Sequence, residues 1–98
     1  MIRKDLPPVH QLCQSIHAAH EAGIRFGNAE GISSLVVCSV PDEAALKEAQ
    51  TKLEARGVKH YMFVEDDFGD QATALATEPL QGSRRRILSD YPLWKEGA

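Results

Sequence analysis

The chain has only two cysteines, Cys13 and Cys38, and no apolar stretch near the roughly 20 residues that a membrane-spanning helix needs. Two thiols 25 positions apart in apolar surroundings do not make a disulfide framework and read as reduced core thiols. Positive charge is also scarce: the formal net charge of −3 excludes a protein that coats nucleic acid, because that binding needs a broad cationic surface. The opening Met1-Ile2-Arg3-Lys4-Asp5 carries charge without an apolar stretch behind it, so no secretion or import signal is expected and the expected home is the cytoplasm. No Gly-x-Ser-x-Gly elbow, phosphate-loop consensus or Cys-x-x-Cys occurs, and His17, His20 and Glu21 do not follow the zincin order. Asp67-Phe68-Gly69 spells the kinase magnesium triplet, but nothing else of a kinase accompanies it. Neither a metal nor a cofactor is expected.

What is present describes one small globular domain over residues 1–98, with 43% hydrophobic and 26% charged residues. After Pro7-Pro8, the positions Val9, Leu12, Cys13, Ile16, Ala19 and Gly23 recur at steps of three and four, which predicts an amphipathic helix over residues 8–27 with that stripe against the core. Ser34 to Val40 is a nearly continuous apolar run, the pattern of an interior strand. Asp42 caps a second helix whose buried stripe is Ala45, Leu46, Ala49 and Leu53, and Arg56-Gly57 ends it. Val58 to Val64 and Ala72 to Thr77 read as strands, antiparallel neighbours across the acidic link Glu65–Asp70. Ser83 caps a final short helix to about Asp90, and residues 91–98 form a tail that docks or frays. The fold class expected is α/β: a small three-layer domain with a three- to four-stranded mixed sheet flanked by helices, whose β-α-β step is a right-handed crossover.

Candidate chemistry sits in few places. His10, Gln14, His17 and Glu21 form a polar stripe on the first helix that can bind a phosphate or position a water. The acidic link can place a carboxylate over the sheet end, and Arg84-Arg85-Arg86 is the main basic cluster, with Arg3, Lys4 and Arg25 elsewhere.

Arg3-Lys4-Asp5-Leu6 and Gln14-Ser15-Ile16-His17-Ala18-Ala19 resemble the Arg-x-Asp-Leu and Ala-Gln-x-x-His-Ala signatures of the type 2 peptidyl-tRNA hydrolases. Asp67-x-Gly69 and Thr73-Ala74-Leu75-Ala76-x-x-Pro79 are similar to that family's Asp-x-Gly and Thr-x-Leu-Ala-Ile-Gly-Pro motifs, in the same order, so the likeness spans residues 2–80. The resemblance implies hydrolysis of the peptidyl-tRNA ester without a metal, by a lysine at the start of the first helix, an aspartate and threonines. Here His10 fills the lysine position, Pro7-Pro8 replaces the Gly-Lys-Gly segment, and the threonine after Asp67 is lost in Asp70-Gln71. The implied catalytic residues are His10, Asp67 and Thr73. The implied ligand-binding residues are Arg3, Asp5, Gln14, His17, Arg84 and Arg85, and the implied partner is a tRNA end or a small nucleotide.

The first strand shrinks to the stub Met1–Lys4, which leaves one side of the sheet for a partner subunit and makes a homodimer the expected assembly. Two other functions stay open at this stage. One is a non-catalytic nucleotide- or RNA-binding module that sequesters its ligand, and the other is a protein-interaction module using Tyr91-Pro92-Leu93-Trp94.

Overall fold

The computed structural model describes residues 1–27, 35–66 and 69–95. Its order is β1 (Ile2–Arg3), α1 (Pro8–Phe26), β2 (Ser39–Val40), α2 (Glu43–Ala55), β3 (His60–Glu65), β4 (Gln71–Thr77) and a 3-10 helix, Gly82–Leu88. The four strands form one mixed sheet in the order β2-β1-β4-β3. β1 runs parallel to β2 and antiparallel to β4, and β3 pairs antiparallel with β4, as the short acidic link leads one to expect. β1, β2 and β3 therefore all point the same way. The chain moves one step across the sheet through α1 and back over two strands through α2. Two right-handed crossovers in opposite directions put their helices on opposite faces, and that is the arrangement found: Ala18 of α1 joins Ile2, Leu6 and Ala74 in one core, while Leu46 and Leu53 of α2 join Val40, Val58, Ala72 and Leu75 in the other.

α2 forms as its sequence dictates. The Asp42 side chain accepts from the Ala45 amide at 2.9 Å, Leu46, Ala49 and Leu53 are buried, and Gly57 takes the left-handed φ of 68° that ends the helix.

Four expectations fail. β1 is short but interior, flanked by β2 and β4, so it leaves no edge for a partner subunit. β2 is an edge strand of two residues, and Leu35 and Val36 are exposed, because β1 is too short to pair with more of the apolar run. The C-terminal tail covers that edge: Ser39 donates to Pro92 O and Trp94 donates to Val37 O. Ser83 supplies no side-chain cap, since the last helix is a 3-10 turn starting at Gly82.

The fourth failure concerns the face of α1. Val9, Leu12, Cys13, Ile16 and Ala19 point to solvent, whereas Gln11, Gln14, Ala18 and Ala22 are buried, and Cys13 is thus no core thiol although Cys38 is buried. β4 presents Ala74 and Ala76 to α1. A helix settles closest on small side chains when its own contact residues are small, and Ala18 and Ala22 meet that condition. The two glutamines flanking them are tolerated inside because both are hydrogen-bonded.

Candidate active site

The carboxyl ends of β1, β2 and β3 and the starts of both helices lie at one end of the sheet, where the chain switches faces. This is the end at which open α/β sheets collect their ligand-binding groups. Five elements, β1, α1, α2, β3 and β4, supply the groups that meet there.

Arg3, at the end of β1, is 6% exposed and almost fully committed. Its Nε and Nη2 donate to the two Asp5 carboxylate oxygens at 2.9 and 2.7 Å, and Nη1 donates to Gln71 Oε1 and Ala72 O. The guanidinium pair holds the Asp5 carboxyl below its ordinary value, and the same contact raises Arg3. Glu43, at the start of α2, accepts from the Ala72 amide at 2.8 Å. Ala72 is in this way tied at its carbonyl by β1 and at its amide by α2.

The register of β3 on β4 shifts between Phe63, opposite Ala74, and Val64, opposite Ala72, so Thr73 has no partner of its own. Such a bulge re-aims a side chain, and here the Thr73 hydroxyl lies between Gln14 Oε1 at 3.4 Å and Phe63 O at 3.3 Å, with no exposure at all. Gln14 Nε2 in turn donates to Glu65 Oε2 at 3.0 Å. The amide on α1 thus joins the bulge in β4 to the first carboxylate of the acidic link.

His10 and His17 share the Gln14 stripe one turn to either side, and the His17 ring stacks on Phe63 at 4.9 Å with a 6° interplanar angle. Arg25, two turns further along, lies over Tyr61 at 4.6 Å. The polar stripe therefore lines the β3 side of the helix along its length. Asp67 lies outside the described residues. Gly69 and Asp70, which lead into β4, both take left-handed φ, of 73° and 59°.

Arg84 and Arg85 are not part of this cluster. Arg84 reaches Gly57 O and Glu78 where β3 starts and β4 ends, about 20 Å away by the length of β4. There it lines a cleft of about 300 Å³ with Arg56, Ser83, Arg86 and Ile87. Arg85 lines a larger cleft, of about 770 Å³, between α1 and the C-terminal segments. Neither cleft is lined by the residues at the convergence of motifs, which we call the shelf. Among the described residues, no group of three or more His, Cys, Asp or Glu side chains is placed to hold a metal, and no helix is long and apolar enough to cross a membrane.

Sequence reasoning missed three supporting residues. Glu43 and Gln71 fix Ala72 and Arg3, and no sequence pattern marks them. Gln11 donates to Leu6 O at 2.7 Å and accepts from Trp94 Nε1 at 2.8 Å, anchoring the tail. The spacing Gln11, Gln14, Ala18, Ala22 is itself helical and was the available signal for the buried face.

No protein-family model, curated protein or solved structure matches this chain. The fold and its shelf of polar groups define a small α/β domain with a four-stranded mixed sheet.

Thr73→Val removes the hydroxyl at constant shape. Both of its hydrogen bonds are long, so the expected loss is about 1 kcal/mol, at the low end for a buried polar group losing its partner. Urea unfolding shows this as a lower midpoint with an unchanged slope.

Proposed function

We propose that the chain is a type 2 peptidyl-tRNA hydrolase-like protein of the cytoplasm that binds a tRNA end and hydrolyses the ester joining a peptide to it, as a homodimer and without a cofactor. One observation carries this reading: residues from three of the resembling motifs meet at one end of the sheet. Gln14 bridges Thr73 and Glu65, and Arg3 with Asp5 clamps the adjoining Ala72.

The roles divide by accessibility. Thr73 and Arg3 are enclosed and hold the framework, so Thr73 acts on the reaction through Gln14. Of the groups around them, His17, Asp66 and Asp70 are exposed and His10 is half-buried. His10 takes the proton of the attacking water as its oxygen adds to the ester carbonyl, and the imidazolium returns a proton to the departing ribose oxygen. Asp67 orients the water. Arg84 and Arg85, some 20 Å from the shelf, reach phosphates only on a ligand as long as a tRNA, which favours that partner over a mononucleotide.

Labelled peptidyl-tRNA tests this in single turnovers. His10→Ala lowers the rate by about 100-fold or more, the usual loss when a general base is removed, and Asp67→Ala, which frees the attacking water, lowers it as well. Equal rates for the unaltered chain and both variants reject hydrolysis.

The enclosure of Arg3 and Thr73 also favours a second reading, a non-catalytic binder of RNA or a nucleotide. That protein keeps the framework, and a phosphate-bearing ligand raises its melting temperature while peptidyl-tRNA stays intact.

A further inference from the structure

The outward face of α1 carries the apolar side chains that periodicity assigns to the core. Val9, Leu12, Ile16 and Ile24 are 63%, 63%, 59% and 66% exposed. From Val9 to Ile24 the exposed positions hold no Asp, Glu, Lys or Arg, in a chain of which 26% is charged, and Glu21 lies to the flank with its side chain 37% exposed. Leu35 and Val36 line the same cleft as Ser15 and Ala19 and extend the patch along one flank, with Leu93 beyond them. These side chains leave on the order of 800 Å² in water, more than the largest patch of an ordinary monomer, and those on α1 supply about half of it.

We infer that a second copy of the chain docks on this face, α1 against α1, antiparallel about a two-fold axis near Ile16. The inference rests on the homodimer of the reading above and gives it a surface. Val9, Leu12, Ile16, Ala19 and Gly23 fall at the alternating steps of three and four that build a helix-helix seam, with β-branched Val9 and Ile16 at its first positions. The seam is large at its start and small at its end. Pairing about Ile16 sets Val9 against the partner's Gly23 and Leu12 against the partner's Ala19, so each large side chain meets a small one. That self-complementarity is what an isologous interface requires and what an unrelated partner would not need. It also explains why α1 turns glutamines inward and leucine outward: the apolar seam is core between two copies.

Sedimentation equilibrium of the full chain at tens of micromolar tests it. The expected mass is twice that of the chain, and Leu12→Glu and Ile16→Glu each weaken self-association at least a hundredfold by placing charges on the seam. Both side chains already face solvent, so the far-ultraviolet circular dichroism of the variants stays unchanged. In a Cys13→Ser background, Ile16→Cys cross-links on mild oxidation because its two copies face each other across the axis, and Val9→Cys does not. A monomer at these concentrations, a dimer that survives both glutamates, or cross-linking at position 9 in place of 16 overturns the inference. Dimerisation without peptidyl-tRNA cleavage rejects only hydrolysis, and cleavage by a monomer rejects only the interface.

Discussion

Leu46→Ala is expected to lower the unfolding free energy by about 3 kcal/mol, in the range for emptying a fully enclosed leucine site. Leu46 has no exposure and sits among Val40, Leu53, Val58, Ala72 and Leu75, the core between α2 and the sheet. For a domain of this length each kcal/mol is worth about 4–8 °C, so the melting temperature falls by about 15 °C. The consequence extends to the shelf. Glu43, one turn before Leu46, holds the Ala72 amide, and Arg3 holds the Ala72 carbonyl, so a loosened α2 frees one of the two ties that place the start of β4. Calorimetry on Leu46→Ala beside Ala49→Gly separates the two effects. Leu46→Ala costs more stability because it removes three methyl-sized groups from a closed core, and Ala49→Gly costs about 2 kcal/mol through helix propensity plus one buried methyl. Equal losses would mean that the core on this face is not closed.

The parts of the fold legible from sequence are those whose signals are local. α2 has a cap at Asp42, a stripe at Leu46, Ala49 and Leu53, and a stop at Gly57, all within sixteen residues. The β3–β4 hairpin is likewise set by a short link between two alternating runs. α1 has legible ends and the wrong face, because hydrophobic periodicity locates an apolar stripe without saying whether the sheet or another surface covers it. The sheet took the Ala18 and Ala22 side, since Ala74 and Ala76 on β4 accept small residues. β2 shrank to two residues because a strand is no longer than its neighbour allows, and the length of β1 is nowhere written in residues 34–40.

The candidate site divides in the same way. His10, Gln14 and His17 lie on one stripe as helical spacing requires, and Gln14 meets Glu65 at the end of β3. The enclosure of Thr73 could not be foreseen, because it arises from a register shift between two strands. The separation of Arg84 from the shelf follows from β4, which carries the chain the length of the sheet to its far end before the 3-10 helix begins.

The pairing of Arg3 with Asp5 gives the second large effect, and its sign depends on which partner is removed. Asp5→Ala leaves a guanidinium that is 8% exposed without its counter-charge, still hydrogen-bonded to Gln71 and Ala72. Breaking a wholly buried pair costs about 3–5 kcal/mol. The Asp5 side chain is 39% exposed, so water replaces part of what is lost and about 2 kcal/mol is expected. Arg3→Met removes the charge and fills most of the space, leaving Asp5 free to be hydrated but the Ala72 carbonyl without this donor, and about 1 kcal/mol is expected. The order of the two losses is the test. An acid titration adds a second readout: Arg3 holds the Asp5 carboxyl below its ordinary value near 3.8, so the folded state binds that proton less readily than the unfolded chain. The stabilisation is therefore complete above the ordinary value and fades as the pH falls below it through the depressed one. In Arg3→Met that part of the acid dependence disappears, and unfolding curves at pH 6 and pH 3 differ by less than in the unaltered chain. If the difference between the two pH values were the same with and without Arg3, the carboxylate would not be bound to the guanidinium, and Arg3 would hold the Ala72 carbonyl without its counter-charge.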